Sequence, residues 1–293
     1  MPKIKKINLI IFSFLVIVAV LVWIAVFQST GEKNQLQLIF CDVGQGDAIL
    51  IKIPNQDRDE VLVDGGPDNS VLSCLGENLP FYDRKIKSVV LTHPDKDHLA
   101  GLIEVLKRYQ VEEVWWTGVV GSTVYYREFL ATIADKKVPT KIARAGDPII
   151  QEGQIKLKVL YPVQNYQGKK MANLNDSSIV LRLIFRQFSA LLPGDLPDNK
   201  QTELLSQNLE IKSRILKVSH HGSKNGLATE FLSQVNPGVA VISVGAGNRY
   251  GHPTAETLGK LTKIVGLKIY RTDLNGEIKI NSDGSKYWVE TEK

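Results

Sequence analysis

All five histidines of the chain fall in three short motifs. The motifs are His-Pro-Asp-Lys-Asp-His at 93–98, Ser-His-His-Gly-Ser at 219–223 and Tyr-Gly-His-Pro at 250–253. Histidines used only for packing would scatter along the chain. Neutral imidazole and carboxylate groups are the usual ligands of divalent metals in hydrolases. The pattern therefore predicts a metal site assembled from segments that are far apart in the sequence.

The first motif offers four ligands within six residues. His93 and Asp95 are two residues apart, so in an extended stretch their side chains point the same way. Asp97 and His98 are adjacent and point in different directions. One tight loop can therefore serve two metal ions, with one pair of ligands for each.

The segments around the motifs predict one layered domain of mixed strands and helices. Short apolar strands precede His93, Asp195 and His220, and loops at strand ends converge on one edge of a sheet. We predict strands at 36–41, 49–53, 60–63, 88–91, 114–116, 141–143, 156–160, 179–185, 190–192, 215–218, 239–244, 268–270, 276–280 and 287–290. We predict helices at 99–109, 125–134, 200–208, 229–235 and 255–264. This alternation is typical of an α/β domain, and the apolar runs 36–41 and 49–53 predict a hairpin.

The N-terminal segment predicts a membrane anchor. Leu9–Phe27 contains one polar residue, and a helix of these nineteen residues just spans a hydrocarbon core. Three lysines precede the run, which favours a cytoplasmic N-terminus and an exported domain in a single-pass protein of the cell membrane. A cleaved secretory signal is the alternative, but the run is longer than a typical signal core. We therefore divide the chain into an anchor, 1–30, and a hydrolase domain, 31–293.

The charge of the chain does not indicate a strongly basic nucleic-acid binder. The net charge is +5, and Lys3, Lys5 and Lys6 supply three of those charges, so residues 31–293 carry 5 − 3 = +2. A balance this weak leaves room only for a local basic groove.

Cys41 and Cys74 are the only cysteines. Two cysteines do not make a disulfide framework, and neither has the spacing of a metal site. We predict two buried or unreactive thiols. A single disulfide is the alternative if the domain lies outside the cytoplasm.

Seven motifs together resemble one protein family. They are Asp42–Asp47, Val63–Gly66, Thr92–His98, Asn175–Ser178, Pro193–Asp195, Leu216–Ser223 and Tyr250–Pro253. The chain resembles the metallo-β-lactamase superfamily, whose usual loop is HxHxDH. More narrowly, it resembles the hydrolase-like domain of the ComEC family of DNA-uptake competence proteins. The resemblance implies an αββα sandwich with a metal site at one edge.

The resemblance also implies ligands for two divalent ions. Carried over residue by residue, it gives His93 and Asp95 to one ion and Asp97 and His98 to the other. Asp195, in a Leu-Pro-Gly-Asp turn, would bridge the two ions.

Further residues implied by the resemblance surround these ligands. One of His220 and His221 would complete the second ion's shell, and we assign His221 as that ligand and His220 as a catalytic group. Asp64, Asn175 and Asp176 would orient the ligands through hydrogen bonds.

The motifs depart from the wider superfamily in two places. Asp95 replaces a histidine, and no histidine stands near Asn175–Ser178, where the superfamily often has its third ligand. Both departures resemble the ComEC pattern. They make one site richer in oxygen, which favours harder ions, so manganese is expected as readily as zinc.

The implied reaction is metal-assisted hydrolysis of a phosphodiester. Asp97 would act within the metal centre, while His220 and His252 would hold a phosphate oxygen or protonate the leaving group. Lys224 and Arg249 would contact substrate phosphates.

The predicted function is that of an anchored, extracytoplasmic phosphodiesterase or nuclease linked to DNA uptake. One alternative is an envelope phosphoesterase such as a phosphorylcholine esterase, which an aromatic cage near the metals would favour. Another is a non-catalytic module that binds DNA or a partner. ComEC proteins usually join this domain to a multi-span channel. With one predicted span, this chain is not expected to be a channel by that route, and a separate uptake channel is a candidate partner.

Overall fold

The computed structural model of the chain describes residues 12–20, 23, 35–54 and 60–293. Residues 12–20 are helical and exposed. In these ranges, no helix combines the length and the apolar character needed to cross a membrane. The predicted anchor at Leu9–Phe27 extends beyond the described residues on both sides.

The first sheet contains eight strands among the described residues. They are β1 (Leu36–Phe40), β2 (Ile49–Lys52), β3 (Val61–Val63), β4 (Lys85–Val90), β5 (Gln110–Trp116), β6 (Thr140–Ile142), β14 (Ile278–Ser282) and β15 (Tyr287–Thr291). Their order is β15-β14-β1-β2-β3-β4-β5-β6, with β3 to β6 parallel. The predicted hairpin of β1 and β2 is confirmed as an antiparallel pair.

The second sheet contains seven strands in the same part of the chain. They are β7 (Pro148–Glu152), β8 (Ile155–Tyr161), β9 (Val180–Phe185), β10 (Phe188–Leu192), β11 (Ile215–Lys217), β12 (Val239–Ile242) and β13 (Lys268–Arg271). Their order is β13-β12-β11-β10-β9-β8-β7, and β10 to β13 are parallel.

Helices cover the outer faces of both sheets. Val71–Asn78, Lys96–Arg108 and Val124–Lys136 pack on the first sheet. Asp198–Leu205, Thr229–Val235 and Ala255–Leu261 pack on the second, and Thr272–Asn275 is a short helix after β13. A third apolar core fills the space between the sheets. The predicted α/β sandwich is therefore confirmed, with the layers helix, sheet, sheet, helix.

Strand β1 shows why the apolar runs form central strands. Leu36, Leu38 and Phe40 enter the core between the sheets, while Ile39 enters the core under the helices. A strand covered on both faces is apolar throughout instead of alternating with polar residues.

Besides the short helix Thr272–Asn275, two elements were not predicted from the sequence. The helix Val71–Asn78 has eight residues, several of them polar or glycine, and it is held mainly by burial of residues such as Leu75. Strand β7 begins at Pro148 and lies at the edge of its sheet, where a residue without an N–H group is tolerated. Neither segment carries a strong periodic pattern, so tertiary packing decides both.

The prediction of two unreactive thiols is wrong, because Cys41 and Cys74 form a disulfide. Their Cα atoms lie 5.8 Å apart, and the bond ties the end of β1 to the helix Val71–Asn78. The alternative foreseen for a domain outside the cytoplasm is the one observed. The sequence could not decide whether the two cysteines are bonded, because it does not show that they lie next to each other in the core under the helices.

Candidate metal centre

The candidate ligands meet at one edge of the sandwich, where strands of both sheets end. His93 follows β4, Asp195 follows β10, and the pair His220 and His221 follows β11. Parallel strands deliver their carboxyl ends to the same edge, so motifs distant in sequence become neighbours. We name this the metal edge.

The Gly-rich turn between β1 and β2 supports the first histidine motif from behind. The backbone N–H of Asp47 donates to the carbonyl oxygen of Asp97 at 3.2 Å. A Cβ atom on Gly46 would collide with the same carbonyl. Glycine is needed here for close backbone packing, so the turn has a structural role.

Asp64 fixes the orientation of the loop that carries the ligands. Its carboxylate accepts hydrogen bonds from the backbone N–H and the hydroxyl of Thr92, both at 2.8 Å. It also accepts from Nδ1 of His98 at 2.8 Å. Because Nδ1 is occupied, the Nε2 atom of His98 faces the centre of the site.

Asp195 lies at the middle of the cluster. Its Oδ2 atom is 3.3 Å from Nε2 of His98 and 3.3 Å from Nε2 of His221. Asp97 approaches from the open side, with Oδ2 at 3.4 Å from Nε2 of His221. One ligand atom from each of these four residues lies within 4.8 Å of the others, as one metal ion requires.

The two adjacent histidines of the second motif face different surroundings. Both have left-handed backbones, with φ of 52° at His220 and 54° at His221. His221 is buried and donates from Nδ1 to the carbonyl of Ser243 at 2.9 Å. His220 is one-third exposed, and its Nε2 is 3.9 Å from Asp195 Oδ2. The structure thus brings His221 into the four-residue cluster and leaves His220 at its rim.

His93 and Asp95 lie beside this cluster. Nε2 of His93 is 3.5 Å from Oδ2 of Asp95, and its ring centroid is 4.2 Å from that of His98. Thr92 accepts from Nδ1 of His93 at 3.0 Å, which turns Nε2 toward Asp95. The pair is placed to hold another ion, beside the one that the four-residue cluster of Asp97, His98, Asp195 and His221 could hold.

The unpaired atoms of the site test whether metal ions fit. The Nε2 atoms of His93, His98 and His221 are buried and have no hydrogen-bond partner. Leaving a buried polar atom unsatisfied costs about 1–3 kcal/mol. All three atoms face carboxylate oxygens, and bound cations would satisfy the whole set. The residues present therefore fit divalent metal ions.

In the metal-free site, the buried carboxylates and imidazoles keep one another charged. Burial lowers the pKa of His221, but Asp195 and Asp47 raise it, to about 10. Burial likewise opposes the charge on His98, but Asp195 and Asp64 hold its pKa well above the ordinary value. Burial raises the pKa of Asp195, and His221 and His98 bring it well below the ordinary value. A metal ion that binds here must therefore displace protons from two imidazoles.

Two buried residues, Lys217 and Asp47, complete the site, although the sequence analysis gave neither a role. Lys217 is fully buried, and its ammonium group contacts the carboxylate of Asp47. It also donates to the carbonyl of Gly194 at 2.9 Å and lies 3.3 Å from Oδ1 of Asp195. The available signal was a lysine inside the apolar strand β11, because lysine is almost never fully buried without a partner.

A cleft of about 330 Å³ opens over the ligands. His252 lines it, with its ring 5.7 Å from that of His220 and stacked on Tyr250 at 5.8 Å. Asn175 lies within 3.5 Å of Nδ1 of His220, and its buried Oδ1 has no hydrogen-bond partner.

Three predicted site residues have their described contacts outside the cluster. The carboxylate of Asp176 accepts from the amide of Asn173. Lys224 is 73% exposed and lies 3.8 Å from Glu256. Arg249 stacks on Tyr250, at the rim of the cleft.

A family profile for the metallo-beta-lactamase superfamily matches residues 41–246. Over 270 residues, the chain is 30% identical to ComE operon protein 3 of Bacillus subtilis (strain 168). Over 261 residues, it is 26% identical to competence protein ComA of Neisseria gonorrhoeae. The alignments cover 87% and 84% of this chain but 34% and 32% of those proteins, so the chain spans about a third of their length.

Solved structures share the fold at low sequence identity. Igni18, a metallo hydrolase from Ignicoccus hospitalis, is 13% identical with a TM-score of 0.53, over 84% of this chain and 98% of that chain. CmlA, a diiron β-hydroxylase from Streptomyces venezuelae, is 13% identical with a TM-score of 0.51, over 84% and 54%. With the profile match and the clustered ligands, the conclusion is that the chain belongs to the metallo-beta-lactamase superfamily, as a metal-dependent hydrolase with competence-protein relatives.

Proposed function

We propose that this chain is a membrane-anchored, extracytoplasmic phosphodiesterase that cleaves DNA in the course of DNA uptake. The observation that carries the proposal is the meeting of three unpaired, buried imidazole nitrogens with the carboxylates of Asp95, Asp97 and Asp195 in one open cleft. Such a donor set suits a pair of divalent ions, and paired ions are the usual means of attacking a phosphodiester.

Two groups of residues would hold the ions. The first group is Asp97, His98, Asp195 and His221, and the second is His93 and Asp95 beside it. The mixture of nitrogen and oxygen donors fits zinc or manganese. When bound, the ions supply Lewis-acid charge that activates water and offsets the negative charge of the phosphate.

Residues at the open side of the cleft would handle the substrate. His220 and His252 face each other at 5.7 Å, so either can hold a phosphoryl oxygen or pass a proton to the leaving group. Tyr250 is 55% exposed, and its ring, which is stacked on His252, can contact a base at the rim of the cleft. Arg249 above its ring supplies a cation at the rim for a backbone phosphate.

The link to DNA uptake and to the outside of the cell has two supports. ComE operon protein 3 and competence protein ComA are named for competence, and both align with most of this chain. The disulfide of Cys41 and Cys74 suits an oxidising compartment, as expected for a domain exported behind the Leu9–Phe27 anchor. DNA would then reach a separate uptake channel.

The alternative of a phosphorylcholine esterase has weaker support. A quaternary ammonium group needs several aromatic faces around it. Among the described residues that line the cleft, Tyr250 is the only tyrosine, tryptophan or phenylalanine.

The test is hydrolysis of single-stranded and double-stranded DNA by metal-stripped protein to which zinc or manganese is returned. His221→Ala removes a cluster residue, and Asp176→Ala is the matched control, because Asp176 bonds to Asn173 away from the cluster. We expect cleavage that depends on the added metal, is lost in His221→Ala and persists in Asp176→Ala.

Other outcomes would redirect the proposal. Hydrolysis of bis-p-nitrophenyl phosphate without cleavage of DNA would indicate another phosphodiester as the substrate. If neither compound is hydrolysed and no metal is bound, the chain is a binding module and the proposal is wrong.

A further inference from the structure

The edge of the sandwich opposite to the metal edge carries three strongly exposed apolar side chains. Val265 is 100% exposed, Phe81 is 87% exposed and Tyr82 is 76% exposed. Phe81 and Tyr82 precede β4, and Val265 precedes β13. Phe81 and Tyr82 contact each other edge to face, with ring centroids 5.3 Å apart, so they form a small exposed aromatic pair.

Strand pairing shows that these turns share one edge. Both β4 and β13 begin there, because their carboxyl ends lie on the side of the ligands. The two sheets are joined at this edge by a hydrogen bond from the N–H of Gln187 to the carbonyl of Gly284 at 2.8 Å. We name it the distal edge and define it as residues 76–86, 106–112, 134–141, 152–156, 184–188, 263–268 and 283–286.

The distal edge is positively charged. Its segments contain twelve Lys or Arg and six Asp or Glu, a net of 12 − 6 = +6, against +5 for the whole chain. Glu104, Glu113 and Glu128 lie just behind the edge and pair with its cations, which leaves 6 − 3 = +3. The metal edge, by contrast, gathers Asp47, Asp64 and the carboxylate ligands.

The chain enters the domain at the distal edge. Leu36, the first residue of β1, pairs with Ser282 next to the turn at 283–286. The eight residues 28–35 separate Leu36 from the apolar run Leu9–Phe27, and they reach at most about 30 Å when extended. A bilayer that holds the apolar run therefore lies on the distal side of the domain.

We propose that the distal edge rests on an anionic phospholipid bilayer, with Phe81, Tyr82 and Val265 among the headgroups and the metal edge facing away. Aromatic side chains favour the membrane interface, and clustered Lys and Arg are attracted to anionic lipids. The orientation rests on the anchor of the proposed function. The lipid surface itself can be tested without the anchor and without catalysis.

The test uses residues 31–293, because all three apolar cores lie within residues 36–280. The protein is sedimented with vesicles of phosphatidylcholine alone or with about 30% phosphatidylglycerol. The double variant Phe81→Ser, Tyr82→Ser removes the aromatic pair. Leu274→Ser is the matched control, because Leu274 is 61% exposed but follows β13 at the metal edge.

We expect binding to the anionic vesicles, weakened about tenfold in the double variant and unchanged in Leu274→Ser. No binding to anionic vesicles, or equal binding by the double variant, would overturn the proposal and direct attention to a protein partner. Hydrolysis by the same variants is measured in parallel. A loss of lipid binding with unchanged hydrolysis separates this proposal from the proposed function.

Discussion

At the residue scale, the pair His220 and His221 divides into a ligand and a rim residue. The left-handed backbone at both positions costs roughly 1–3 kcal/mol each, and it turns one ring inward and the other outward. We expect His221→Ala to lose bound metal. His220→Ala should keep the metal and lose about 10²–10⁴-fold in turnover. Metal content and hydrolysis rate, measured on the same samples, check this, and equal metal loss in both variants would contradict it.

Lys217 supplies the positive charge behind the ligands. Replacing it by methionine removes the ammonium group that contacts Asp47 and lies 3.3 Å from Asp195, and leaves both buried carboxylates with the imidazoles of His98 and His221 as their remaining cations. We expect Lys217→Met to lower the free energy of unfolding by about 3–5 kcal/mol. Urea denaturation measures the change, with Lys212→Met, at an exposed lysine, as the control. Equal stability of the two variants would show that the buried lysine has no such role.

The charged histidines make the metal-free protein sensitive to pH. The pKa of His221 is raised to about 10 in the folded chain, against about 6.5 for an unfolded imidazole. Its contribution to stability is therefore complete below about pH 6.5 and is lost as the pH rises toward 10. We expect the unfolding free energy of metal-stripped protein to fall from pH 7 to pH 10. His221→Ala should show a smaller fall, and a rise with pH in the unmutated protein would contradict this account.

The metal ligands could be predicted from residue types, but the charged residues behind the ligands could not. The ligand motifs were visible because histidine is rare here and every histidine lies in a motif. Lys217 and Asp47 were given no role, since their pairing depends on β11 passing behind the turn that follows β1. The residue types alone gave no physical reason to prefer His221 over His220 as the ligand, because the difference depends on the buried position of His221 and its hydrogen bond to the carbonyl of Ser243.

At the element scale, the disulfide joins the end of β1 to the helix Val71–Asn78. Closing a loop of 33 residues lowers the conformational entropy of the unfolded chain, and this stabilises the folded state by about 3–4 kcal/mol. We expect reducing agent to lower the unfolding free energy of the native chain by roughly that amount. The double variant Cys41→Ala, Cys74→Ala should have the lower stability at the outset and no response to the reductant. An equal response of both proteins would mean that the reductant acts elsewhere.

The strands with continuous apolar runs were the elements predicted best, since burial on both faces leaves a clear pattern in β1 and β12. The helix Val71–Asn78 and strand β7 were missed because a few tertiary contacts hold each of them. The family resemblance supplied the order of the layers, but apart from the hairpin of β1 and β2 no strand pairing was predicted, because periodicity carries no pairing information.

At the scale of the whole molecule, charge and apolar exposure are divided between two ends. Carboxylates gather at the metal edge, and cations with Phe81 and Tyr82 gather at the distal edge. A bilayer on the distal side would leave the cleft open to solvent on the far side of the domain. Nucleic acid arriving from outside would then meet the cleft before it meets the lipid.

The metal ligands come from both halves of the sandwich, His93 and His98 from the first sheet and Asp195 and His221 from the second. A bound ion therefore joins the two halves. When the free ion is at a hundredfold excess over its Kd, it adds about 2.7 kcal/mol to the free energy of unfolding. We expect chelation to lower Tm and to speed hydrogen exchange at the ends of β4 and β10 together. Faster exchange at one strand alone would show that the ion is held by a single half. Because both halves supply ligands, hydrolysis also depends on the two sheets staying together. A chain whose sheets separate would lose the metal ion and, with it, the activity.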